Sequence, residues 1–445
     1  MSFITIFVHV LIIIIGVVTY IYDYKRSKKN KIKIFTGINL IFIFIYGIVP
    51  LILNSNKFFK GKTDFYLIYT VDIPNEPYFF ASIIIIIGYI SLLLGYFFSK
   101  PYCIAYKTIN VSTSKLKLLG VFILLISCLS TLMVASDLGG FFSSIQYIDA
   151  LRSGNGEVSV STFGFMLLPV AIPAFLIFLS FQIKQLRILS LDFLFLLIAF
   201  FNSMYYVLMF GGRLPFALFV LVFILYYLDK KNAFNIKSLL IIGVMGFLLL
   251  NYLGPLFEVL SDKENVMTRS VFDNIPRLVA QFSFPYINTL KVHSFTYEIG
   301  EFRYFIDLIS WIYNNFIPNK VMDLFNLDLI PPSYVVNSAN HLTTGIPTDI
   351  ITFGYYQFSL VGVIIVSFLF GKIVGWFDRF FNTPHQNVFL KLTQIRMFEI
   401  LAFYPMYADI EAFMRRRIDL TIMIIIIIVF AKKFKQTPEI ICGSK

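Results

Sequence analysis

Apolar runs of about 20 residues recur along almost the whole chain, and few folds can hold them. A bilayer core needs roughly 20 apolar residues in a helix. Such runs cover 2–22, 34–54, 79–99, 116–136, 163–183, 188–210, 214–229, 237–254, 353–376, 396–410 and 418–431, the last two being short. Charged residues make up 14% of the chain and hydrophobic ones 58%. A soluble domain carries about 25% charged residues, so this chain has too little charge to cover a surface in water. That excludes a soluble globular enzyme, a disordered protein and a coiled coil. A β-barrel would show weaker alternating segments of about ten residues. The expected fold class is an all-α polytopic membrane protein with about 11 (10–12) transmembrane helices.

The net charge of +12 would raise nucleic acid as a partner for a soluble protein. In a membrane protein it reads first as topology, because Lys and Arg stay in cytoplasmic loops. Lys25, Arg26, Lys28, Lys29, Lys31 and Lys33 follow the first span, and no basic residue precedes it. A cleaved signal peptide has the reverse arrangement, so this span is expected to be a retained helix with its N-terminus outside. Lys100, Lys107, Lys115, Lys117, Lys184, Arg187, Lys230, Lys231, Arg379, Lys391, Arg396, Lys432, Lys433 and Lys435 then also fall inside. Arg415, Arg416 and Arg417 break the rule by falling outside, just before the last span. The three cysteines (Cys103, Cys128, Cys442) and four histidines are scattered, so no disulfide framework or metal motif is supported.

Three regions follow: membrane helices 1–8 in 1–254, a large outer loop in 255–352, and helices 9–11 with a cytoplasmic tail in 353–445. A loop this long is usually functional or disordered. This one is rich in aromatics, and Phe305, Leu308, Ile309, Ile312 and Phe316 recur at helical spacing. That predicts an amphipathic helix, lying along the outer membrane interface or packed on the bundle. The absence of matched broken helices in two halves weakens a secondary-transporter reading. Asp192 and Glu399 near inner ends, and Asp409 near an outer end, form no acidic chain across the midplane.

Gly211-Gly212-Arg213-Leu214-Pro215 is the clearest local signal. The glycines permit a tight turn, and Pro215 suits the first turn of the next helix. Arg213 is thereby held at the outer mouth of the bundle as a fixed cationic fork for phosphate or carboxylate. The alternative is an arginine that snorkels to the headgroups. The Arg415–Arg417 cluster fits an anionic ligand such as a lipid pyrophosphate, or a headgroup contact. The large loop supplies Arg269, Arg277, Lys291, His293, Glu298, Glu301, Arg303, His341 and Asp349. Glycosyl transfer needs a base for the acceptor hydroxyl, which a histidine or a carboxylate of this loop could supply. It also needs cations for the leaving pyrophosphate, which arginines provide without a metal. For His341 the alternative is a loop histidine bonded to backbone. An earlier outer loop adds Asp149 and Arg152 before a flexible Ser153–Gly156 stretch.

In this order the features resemble the Wzy-type O-antigen and capsule repeat-unit polymerases. The likeness lies in the Gly-Gly-Arg turn, the single large outer loop, the segment Asn340-His341-Leu342-Thr343-Thr344-Gly345 leading to Phe353-Gly354-Tyr355-Tyr356, Gly362 and Gly371, and the arginine-rich approach to the last helix. That family places an arginine in an earlier loop with a glycine about eleven positions on; here Gly164 follows Arg152 by twelve. The resemblance implies a fold like that of the lipid-dependent (GT-C) glycosyltransferases, with no metal and no cofactor. It implies donor and acceptor oligosaccharides on undecaprenyl pyrophosphate, block transfer to the non-reducing end, and a chain-length regulator as a further partner beside membrane lipid. Nucleic acid is not expected. Catalytic roles fall to His341, Glu298 and Arg213, and substrate binding to Arg152, Arg277, Arg303, Arg416 and Arg417. The expected location is the bacterial inner membrane, with the active site facing the periplasm or outside. An O-antigen ligase and a flippase or exporter of lipid-linked sugar are the rival functions.

Overall fold

The computed structural model describes residues 3–26, 33–54, 75–99, 113–148, 160–183, 188–209, 213–231, 282–299, 302–317, 346–381, 388–409 and 418–430. It also describes short pieces at 233, 237–238, 241–246, 248, 252–253, 279, 324–325, 328, 330–331, 333 and 335–336. Among the described residues every regular element is helical. The helices are α1 (Phe3–Arg26), α2 (Ile34–Leu53), α3 (Asn75–Phe98), α4 (Thr113–Asp137), α5 (Phe163–Gln182) and α6 (Leu191–Met209). They continue as α7 (Arg213–Lys230), α8 (Phe284–Ile299), α9 (Ile306–Phe316), α10 (Ile350–Phe381), α11 (Val388–Ala402) and α12 (Ile418–Phe430).

Among the described residues seven helices are long and apolar enough to cross a membrane: α1 to α6 and α10. Their outer faces carry bare leucine, isoleucine and phenylalanine, as on α4, where Leu118, Phe122, Leu125 and Leu129 are all more than half exposed. Of the expected spans, 214–229 and 418–431 hold α7 and α12, which are not among these seven, and 237–254 is described only in short pieces; two more differ in form. The run at 396–410 holds a helix that starts earlier, at Val388, and stops at Ala402. Pro405 lies just beyond, where its ring and missing N–H end a helix, and 403–409 turns through a short 3-10 stretch into irregular chain. The run at 353–376 holds two helices, 350–357 (α10a) and 360–381 (α10b), joined through Phe358 and Ser359 with non-helical dihedrals.

The described chain forms two compact units, the first from 1–99, 268–378 and 398–415, the second from 100–267, 379–397 and 416–445. In the second unit, α5 packs on α4 and α6. Phe175, Phe200, Phe219 and Phe223 cluster there with ring centroids within 6.0 Å. Arg396 pairs with Asp419 at 3.0 Å, both buried, and Lys391 pairs with Asp229 at 2.8 Å.

In the first unit, glycines decide how closely helices meet. A Cβ on Gly95 would lie 2.0 Å from the Phe368 carbonyl oxygen, and one on Gly371 would lie 2.1 Å from that of Leu92. α3 and α10b therefore touch backbone to backbone, as small residues allow in membrane helices. The same device joins α10a to α10b, where a Cβ on Gly362 would sit 2.1 Å from the Gly354 carbonyl oxygen. At one end of this unit, Asp378 of α10b accepts hydrogen bonds from Ile34 N (2.6 Å) and Phe35 N (3.0 Å). It caps α2, whose own N-cap residue, Lys33, has no acceptor to offer. Lys33 instead reaches Asp23 at 2.7 Å.

Gly371→Leu is expected to lower stability by roughly 3 kcal/mol through overpacking. Gly243→Leu is the control, since nothing lies within 4 Å of a Cβ there. Thermal unfolding of the two purified variants in one detergent checks this. Equal melting temperatures would contradict the close approach of α3 and α10b.

Candidate functional site

Ionisable groups inside an apolar bundle are costly to keep, so their partners show what they are for. In the first unit two buried polar knots lie at opposite ends of α10a. Its eight residues make the helix about 12 Å long.

The first knot is built on Asp349, which directly precedes α10a. Its Oδ1 accepts from Ile351 N and Thr352 N, both at 3.1 Å, as an N-cap does. The same oxygen takes the Tyr46 hydroxyl, and Oδ2 takes Asn288 Nδ2 at 3.1 Å. Burial pushes the Asp349 carboxyl above the usual carboxylate range, while the bonds from Thr352, Tyr46 and Asn288 pull it back. Tyr46 lies in a π-helical stretch of α2, Ile43–Ile48. Pro50 has no N–H for the carbonyl four residues back, that of Tyr46. His9 Nδ1 approaches that carbonyl at 2.7 Å. A carbonyl only accepts, so Nδ1 carries the proton. His9 Nε2 meets Ser82 Oγ at 3.1 Å, and the ring stands edge-on to Tyr286 at 5.3 Å. His9, Tyr46, Asn288 and Asp349 are all buried. The Oδ1 of Asn288 is buried there with no hydrogen bond.

The second knot is built on Asp307 in the first turn of α9. Its Oδ1 accepts from Arg303 Nη2 (2.9 Å) and Ser333 N (2.8 Å). Its Oδ2 accepts from Arg303 Nε (3.1 Å) and Gln357 Nε2 (2.7 Å). Ser333 passes its own hydroxyl to Asp409 at 2.6 Å. Arg303 N and Tyr304 N donate to the carbonyls of Tyr356 (2.8 Å) and Gln357 (3.3 Å). Those are among the last carbonyls of α10a, which no helical N–H can satisfy. A carboxylate has about four lone-pair sites, and Asp307 has filled all four. It organises three chain segments and has no lone pair left to act as a base.

Most of the residues expected to act lie outside the described residues: Arg152, Arg277, His341, Arg416 and Arg417. Arg213 is the first residue of α7, with Pro215 in its first turn, and Glu298 lies in the last turn of α8. Arg303 is the one whose side chain is described. Two of its nitrogens bind Asp307, and Nη2 also donates to the Pro331 carbonyl at 2.6 Å. The structure thus brings Arg303 together with Asp307, which in turn binds Gln357. Sequence reading passed over Asp307, His9, Tyr46 and Asn288. Only Asp349 carried a usable signal, an aspartate just before an apolar run. Among the described residues no group of three or more His, Cys, Asp or Glu could hold a metal.

Comparison with protein-family models, curated proteins and solved structures finds no match.

Arg303→Ala separates two roles. With Asp307 buried and losing its ion partner, stability is expected to fall by about 3 kcal/mol or more. Arg303→Lys, which keeps the charge and loses the fork, should fall between that and wild type. Denaturation of the purified variants measures both. An Arg303→Ala protein as stable as wild type would show that the Asp307 pair does not hold this knot.

Proposed function

We propose that this chain is a polymerase of lipid-linked oligosaccharide repeat units, of the Wzy type, with a GT-C-like fold. The chain is all-helical in its described part, with several helices apolar enough to insert in a membrane. The observation that carries the reading is how the polar region around 284–349 joins them. α8 packs on α2 and α3, and Asp307 and Asp349 bind this region to α10a and α2 within one unit. A loop fixed to the membrane helices in this way suits chemistry on a sugar held at the bilayer surface by its lipid. On α1, His9 of the first knot and Asp23 of the lysine-bearing end are about 21 Å apart along the helix. That supports an outer site and an inner, basic end in a bacterial inner membrane.

In this reading an acceptor sugar hydroxyl attacks the anomeric carbon of the donor. The new glycosidic C–O bond forms as the bond to undecaprenyl pyrophosphate breaks. His341 or Glu298 takes the hydroxyl proton, and Arg213, Arg277 and Arg416 hold the departing pyrophosphate. Arg152 and Arg417 contact the substrate glycan or its phosphates, while Arg303 is taken up by Asp307 and serves structure.

A deletion strain should keep a single repeat unit on its acceptor and lose the polysaccharide ladder on a gel. Loss of the single unit as well would favour a ligase or flippase. Arg213→Ala should abolish the ladder at normal protein level, and a full ladder would remove Arg213 from the mechanism. Orientation is tested separately. Gly300→Cys should react with an impermeant thiol reagent on intact spheroplasts, and labelling only after lysis would reverse the topology.

A further inference from the structure

We infer that α9 is a membrane-inserted arm, with its apolar edge among lipid acyl chains and its polar edge fastened to the protein. In a water-soluble helix of this kind the apolar stripe turns inward and the polar side outward. α9 does the opposite. Asp307 and Ser310 are fully buried, while Leu308 is 50%, Ile309 59% and Ile312 56% exposed. The buried side is held by directed bonds. Asp307 takes Gln357, Ser333 and Arg303, and Ser310 Oγ donates back to the Asp307 carbonyl at 3.0 Å. Rolling the helix to hide its leucine and isoleucines would break the bonds of Asp307 to Ser333 and Gln357.

The occupant of the bare face is set by what it adjoins. Tyr304 and Phe305, which lead into α9, both pack on Phe358 at the α10a–α10b junction, with ring centroids 5.2 and 5.4 Å apart. From that junction α10b runs on with Val361 59%, Ile364 41% and Ile365 38% exposed. α10b by itself, 360–381, is an apolar helix long enough to cross a membrane, so in this proposal its stripe faces lipid. The bare face of α9 follows directly on residues packed at that same junction, and in this proposal one bilayer surface covers both. The result is an arm whose depth is fixed by Asp307, because that carboxylate also grips the end of α10a.

The test places a tryptophan on the bare face of the full-length protein: Ile309→Trp, with Trp311→Phe and Trp376→Phe to remove the two native tryptophans. The protein is reconstituted in phosphatidylcholine vesicles, once with acyl-brominated lipid and once with iodide in the buffer. Bromine should quench the fluorescence several-fold more than iodide does. Strong iodide quenching would put the face in water and overturn the proposal. Weak quenching by both would mean that protein covers it, a second copy included, and would overturn it equally. Leu308→Trp in the same background gives an independent reading should Ile309→Trp assemble poorly.

Discussion

A carboxylate taken out of water must find donors, and in this protein that requirement ties the first unit together. The effective cost of burying such an ion is several kcal/mol, so each buried aspartate gathers bonds from wherever the chain can bring them. Asp378 reaches across to the first two N–H groups of α2. Asp349 collects a tyrosine from α2, an asparagine from α8 and two backbone N–H groups of its own helix. Asp307 collects from residues 303, 333 and 357. Van der Waals contact alone leaves apolar helices free to slide, because lipid and leucine are equally apolar neighbours. Directed bonds at three levels remove that freedom.

The short helix α10a is where these demands meet. It starts on Asp349 and ends at Gln357, and its reversal into α10b leaves terminal carbonyls unpaired. The N–H groups of Arg303 and Tyr304 supply the missing donors, and Phe305 N reaches the Gln357 side chain at 2.7 Å. This has a conformational cost. Tyr304, Phe305 and Ser359 all have positive φ, at 48°, 59° and 56°, which for non-glycine residues costs about 1–3 kcal/mol each. All three lie at the junction of the loop with the helix reversal. The strain is tolerated because relaxing it would unpair the end of α10a.

The membrane spans were legible in the sequence because each depends on a local property, a run of apolar side chains. α1 to α6 fall close to where hydropathy puts them. The reversal at Phe358 and Ser359 was not legible, since neither residue is a glycine or proline and the run of apolar residues continues through it. Gly354 and Gly362 permit the approach, yet in sequence they look like any glycines of a membrane helix. The two knots were hidden for a related reason. The partners in the first come from positions as far apart as 9, 46, 288 and 349, and nothing local to His9 or Asn288 says that they will come together. Arg303 was picked out for its charge, and charge alone does not distinguish an arginine that waits for a ligand from one already bound to a buried aspartate.

The orientation of α9 shows the same limit from another side. Spacing identifies an apolar stripe through 308, 309 and 312 but cannot say whether protein or lipid receives it, since either partner is apolar. The opposite edge decides. Asp307 must have hydrogen-bonding partners beyond its own helix, and in a bilayer only the protein interior provides them. Once that edge is bound inward, geometry leaves the stripe facing out. For a helix at a membrane surface, then, the few polar residues set the direction and the apolar residues follow. The amphipathic pattern is better read from its polar side.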